Sequence, residues 1–163
     1  MKMLLRGVYG LAIAGLAIIA AADSSAQEPF GDAQVMIEFQ RAADSYAFGH
    51  RQTERRGTTP VARQEGAIFT PVVAAAFRAR IRAAVNRPTC DAPRASEPDF
   101  VVLRVNASTA GSQDAPSCIA TMLPGLPTEL EYRVSGIALL LIDAHLAIVV
   151  DVLHAAFAQP VVR

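Results

Sequence analysis

Tryptophan is absent from this 163-residue chain, and only 6% of its residues are aromatic. Platforms that stack bases or sugars therefore have little to be built from. Lysine occurs once, at Lys2, and 15 basic residues balance 15 acidic ones. A formal net charge of zero excludes a strongly basic nucleic-acid binder and an acidic disordered tail. Two cysteines are too few for a zinc ribbon or a disulfide-dense knot. There is no G-x-S-x-G nucleophile motif, and Gly111 and Gly125 stand alone rather than in a phosphate-cradling loop. No internal repeat is present.

What the chain does have is apolar residues, 52% of the total, which excludes a fully disordered polymer. Lys2 and Arg6 precede an uncharged stretch from Gly7 to Ala22, and Ser24-Ser25-Ala26 follows. This is the pattern of a secretory signal peptide over residues 1–26, cut before Gln27. Its apolar stretch is shorter than the roughly 20 residues that a membrane-spanning helix needs. The expected mature product, residues 27–163, is a single domain without a membrane span, periplasmic or extracellular. In an oxidising compartment, Cys90 and Cys118 are expected to form one disulfide. They sit in similar loop settings, Pro88-Thr89-Cys90 and Pro116-Ser117-Cys118, and no C-x-x-C motif suggests a redox role.

The periodicity predicts an α+β fold: two main N-terminal helices packed on a small, mostly antiparallel C-terminal sheet. The helical part covers about 32–86, a loop 87–98 and the β part about 99–155. Val35, Met36, Phe39, Ala43 and Tyr46 recur at helical steps, with Asp32 as the expected N-cap and an indistinct end after Gly49. A short helix over 60–65, ending at Gly66, is expected next. Thr70-Pro71 then reads as a cap followed by the first helical residue. Arg78, Arg80 and Arg82 on that helix read as a solvated face rather than an anion site. Asp99–Val105 reads as a strand, 106–118 as a polar loop and 119–128 as a connector. Alternation over Leu130–Val134 predicts a half-buried strand with Tyr132 inward and Glu131 and Arg133 outward. Ile137–Ile142, apolar on both faces, predicts a central strand, and Ala147–Leu153 a third. One buried helix over 137–157 is the competing reading.

Phe39 through Tyr46, Ile68-Phe69-Thr70-Pro71, Leu123-Pro124 and the run Leu126-Pro127-x-x-Leu130-Glu131-Tyr132-Arg133 resemble a family of small exported bacterial proteins. The resemblance covers most of the mature part. It implies export and brings no catalytic residue, cofactor or partner with it.

Reactive side chains are densest around Tyr132, Arg133, Asp143, His145 and Asp151, with His154 nearby. A metal site needs three or four ligands on one side of the fold, and three strands separate these residues awkwardly. Turn formation is the simpler role for Asp143. His50, beside Gly49, reads as a cationic cap near a helix C-terminus. No catalytic, cofactor or metal residue is therefore expected. The expected function is a non-enzymatic structural or interaction protein, with an unspecified protein or small-molecule partner. The alternatives are a small exported metal-dependent hydrolase and a binder of a small apolar ligand.

Overall fold

The computed structural model describes residues 29–57, 64–92 and 103–158. The leader, the 60–63 part of the expected short helix, and 99–102 of the expected first strand lie outside the described residues. Glu65 and Gly66, the end of that expected helix, form a turn.

The fold is α+β, with helices in the N-terminal half and a four-stranded antiparallel sheet after them. Helix α1 runs Pro29–Arg55 and α2 runs Pro71–Val85. The α2 start follows its local chemistry. Thr70 is the N-cap, its hydroxyl accepts from the Val73 N–H at 3.4 Å, and Pro71 occupies the first turn, where a missing N–H costs nothing. Helix α1 departs from expectation at both ends. Asp32 lies inside its first turn rather than at the cap, and its carboxylate pairs with Arg80 of α2 at 2.6 Å. At the other end the helix runs through Gly49 to Arg55, because Ala43, Ala47 and His50 continue one buried stripe below Phe39.

Strands β1 (Gln113–Asp114), β2 (Leu130–Ser135), β3 (Ala138–Asp143) and β4 (Ile148–Leu153) lie side by side in chain order. Residues 137–157 are thus strands and turns, not one helix. Gly136, at φ 54°, opens the two-residue turn between β2 and β3, a position that disfavours side chains. β3 is buried at all six positions, as a central strand covered on both faces must be. The expected strand over 99–105 is not formed in its described part. Residues 103–105 lead into a turn at Asn106, with φ 65°. The chain there lies along the free edge of β4, with bonds from Asn106 N–H to Val149 O and from Val149 N–H to Ala107 O. That cover removes an open strand edge. The expected loop and connector contain two short elements, β1 and helix α3 (Ser117–Ala120).

Cross-strand partners share a face, so the register sorts the sheet. Leu130, Val134, Leu139, Leu141, Val150 and Leu153 face the helices. Phe39, Phe69 and Phe77 fill the space above them with ring centroids 4.7–6.0 Å apart. Ala138, Leu140, Ile142, Val149 and Val152 form a second buried cluster on the opposite face, with Leu103 against it. Cys90 and Cys118 form a disulfide that ties the segment after α2 to α3.

Candidate functional site

Two aspartates on the helix-facing side of the sheet are fully buried: Asp143 at the end of β3 and Asp151 in β4. A buried carboxylate needs compensating donors, and the two find them in different places.

Asp151 is placed by a β-bulge. Leu141 pairs with Asp151 while Ile142 pairs with Val149, so Val150 is an extra residue in β4. A bulge re-aims the side chains beside it, and here Val150 and Asp151 both point toward the helices. One carboxylate oxygen of Asp151 accepts the N–H groups of Gly66 and Val152 at 2.7 and 2.8 Å. The other accepts those of Ile68 and Phe69, both at 2.8 Å. Asp151 thus organises the chain that enters α2.

Asp143 serves the turn between β3 and β4 and also reaches α1. Its Oδ1 accepts from the N–H groups of His145 and Leu146 at 3.0 and 2.9 Å, the side-chain turn chemistry expected of Asp. Its Oδ2 accepts from the Tyr46 hydroxyl at 3.0 Å and lies 3.3 Å from His50 Nε2. Tyr46 and His50 are four residues apart and therefore share a helix face. Burial first, and then the Asp143 charge, push the Tyr46 phenol well above its ordinary range, so it stays a hydrogen-bond donor. His50 is not a helix cap. It is buried in the interior of α1, and among the described residues neither ring nitrogen makes a hydrogen bond. Beside this pair Arg51 binds Glu129 at 2.5 Å, and that hydrogen bond is the main reason the Glu129 carboxyl is held below its ordinary range.

Of the sequence-selected polar residues, Asp143 and His145 share the β3–β4 turn, and Tyr132, Arg133 and Asp151 are not brought to them. Tyr132 donates to Pro124 O at 3.1 Å, and burial pushes its phenol upward. Arg133 pairs with Asp114 and Ser112 on the other face of the sheet. Asp151 faces the 66–69 segment, and exposed His154 pairs with Glu65 at 2.8 Å. Among the described residues, no three His, Cys, Asp or Glu side chains stand so as to hold an ion as they are placed. The arginines of α2 are also engaged: Arg78 donates to His154 O at 3.0 Å, Arg80 to Asp32 and to Met122 O, and Arg82 to Arg78 O. Arg78 and Arg80 therefore tie α2 to its neighbours, while Arg82 stays on an exposed face as expected.

An open groove of about 430 Å³ lies between the start of α2 and the end of β4, with Phe69, Pro71 and Ala74 on its apolar side and Glu65, Arg78 and His154 at its rim. Its charged groups are already engaged with one another or with backbone.

Arg51, Glu129 and the buried place of His50 are what sequence reasoning missed. The available signal for His50 was its place on the stripe Phe39, Ala43, Tyr46, extended past Gly49. No protein-family model, curated protein or solved structure matches this chain.

Proposed function

We propose that this chain is an exported, disulfide-stabilised protein of structural or interaction type, working outside the cytoplasm without catalysing a reaction. The observation that carries the reading is the engagement of the buried carboxylates. All four N–H donors around Asp151 are backbone groups, and Asp143 is bound by its own turn and by Tyr46. Such groups hold the fold together. A catalytic carboxylate would instead be aimed into a cleft where a substrate atom can reach it. Among the described residues, the only hydroxyl bonded to Asp143 is a phenol kept protonated, which is a poor nucleophile.

Export is supported by the leader pattern, by the resemblance given above and by the Cys90–Cys118 disulfide, which persists in oxidising compartments. No helix among the described residues is long and apolar enough to cross a membrane.

The test has two arms. N-terminal sequencing of the exported form should begin at Gln27; a membrane-bound product that keeps Met1 would overturn export. Assays of the purified protein with p-nitrophenyl esters, phosphates and glycosides, with and without added Zn²⁺, should give no turnover above buffer. Turnover that disappears in His145→Ala with an unchanged melting temperature would overturn the non-catalytic reading.

A further inference from the structure

Helix α1 meets the core through the stripe Phe39, Ala43, Ala47 and His50. With about 100° between successive residues, Ile37, Arg41, Asp44 and Phe48 fall on the opposite side of the helix, and all four are exposed. Among the described residues the exposed large apolar side chains are Ile37 at 51%, Phe48 at 60% and Val72 at 59%. Scattered singly, such residues need no explanation. Two of these three, however, lie on one line along the outer face of α1, about three helical turns apart. The steps from Ile37 to Arg41, Asp44 and Phe48 follow the 3.5-residue repeat by which one helix packs along another.

Between the two apolar residues stand one cation and one anion. Asp44 accepts from the Gln40 amide at 3.2 Å, which leaves its carboxylate room for a further donor. Arg41 pairs with no acid among the described residues. Along the helix the order is apolar, positive, negative, apolar, and reversing that order gives its complement. The midpoint of Ile37 and Phe48 coincides with the midpoint of Arg41 and Asp44, between Ala42 and Ala43. We propose that a second copy of this chain docks on this face, the two α1 helices running antiparallel about a twofold axis at the level of Ala42 and Ala43. In that register Ile37 of each copy meets Phe48 of the other, and Arg41 of each copy meets Asp44 of the other. Every contact occurs twice, as an interface between identical surfaces requires. A parallel pair would instead set Arg41 against Arg41 and Asp44 against Asp44, and like charges across an interface are costly. So short a contact falls below the area of standard stable interfaces, and the pair is therefore weak and readily reversible. The pairing takes up the interaction part of the reading above without resting on export or on the absence of catalysis. Turnover in the assays described there leaves the dimer standing, and a monomer leaves the non-catalytic reading standing.

The test is sedimentation equilibrium of the purified protein from about 1 μM to 1 mM, the range in which a small interface associates. The expected result is a reversible monomer–dimer equilibrium. Phe48→Ser should weaken it by about tenfold or more, because the lost apolar contact counts twice. Arg41→Glu and Asp44→Arg should each weaken it by about tenfold, because each turns both ion pairs into like-charge contacts. Mixed in equal amounts, these two charge variants should pair with each other about as well as wild type pairs with itself, since opposite charges meet again at both places. Val72→Ser, on α2, should leave the equilibrium unchanged. All of these changes are to exposed side chains, so circular dichroism should match wild type throughout. A monomer at every concentration would overturn the proposal. So would a dimer indifferent to the single charge variants, a mixture of the two that fails to recover pairing, or pairing that is lost with Val72→Ser.

Discussion

Val150 and Asp151 are consecutive residues of an extended strand, yet both face the helices. Ordinary alternation would turn one of them to the opposite face. The bulge lets β4 present an apolar side chain to the core and, one residue later, a carboxylate to the segment before α2. Four backbone N–H groups converge on that carboxylate. None of the three from residues 66–69 belongs to a regular element.

Asp151→Asn should therefore be strongly destabilising although it is nearly isosteric. It replaces one accepting oxygen by a donor that faces other donors. Leaving a buried N–H unmatched costs about 1–3 kcal/mol, and two are affected whichever way the amide is turned. A loss on the order of 3 kcal/mol is expected in urea unfolding. A change under 1 kcal/mol, at unchanged m-value, would show that the 66–69 segment is held by something else.

The core prediction is graded by burial. Leu141 is fully buried on the helix face, whereas Ile148, at the start of β4, is only partly buried. Leu141→Ala should cost about 2–5 kcal/mol through lost transfer energy and the cavity left behind. Ile148→Ala should cost less, about 1 kcal/mol, because part of its surface already meets water. Equal losses, measured by thermal melts, would contradict the strand register.

How much of this was legible follows from how local each signal is. The alternation of Leu130, Tyr132 and Val134 and the Thr70-Pro71 pair are short-range codes, and they produced β2 and α2 where expected. β1 consists of exposed Gln113 and Asp114, too short for any period, and it exists because β2 offers it a partner edge. Asp151 is recognisable as a residue but not by its direction, which depends on a one-residue slip against β3. His50 was hidden by Gly49, which reads as a helix terminator until the sheet's Asp143 appears opposite it. Tyr46 and Asp143 lie 97 positions apart, so no local pattern could pair them.

Glu129 gives a pH-dependent prediction. The Arg51 hydrogen bond holds its carboxyl below the ordinary value of 4.5 in the folded state. The folded state then binds fewer protons than the unfolded one as the pH falls below that value. Its stabilising share is complete above about pH 4.5 and is lost as the pH drops through the lowered value. The difference in stability between wild type and Glu129→Gln should be constant near neutrality and shrink below pH 4.5. Arg51 is partly exposed, so salt should shrink it as well. A difference that grows on acidification would give the linkage the wrong sign.

The last prediction concerns Asp143 and Tyr46. Considered as a turn residue alone, Asp143 would tolerate Asn at a cost of about 1 kcal/mol, since Asn also accepts from the following N–H groups. The Tyr46 hydroxyl adds a second demand: its hydrogen needs an acceptor on the same side chain that serves the turn. Asp143→Asn should therefore cost more than about 1 kcal/mol, because the amide offers one oxygen where the carboxylate offers two. Tyr46→Phe removes the hydroxyl and with it that demand, so it should cost about 1 kcal/mol in wild type and less when Asp143→Asn is already in place. The two substitutions should be coupled by about 0.5–1.5 kcal/mol in a double-mutant cycle read from denaturant unfolding. Strict additivity would mean that the bond across α1 and the β3–β4 turn contributes nothing, leaving apolar packing and the Arg51–Glu129 pair to hold that end of the helix on the sheet.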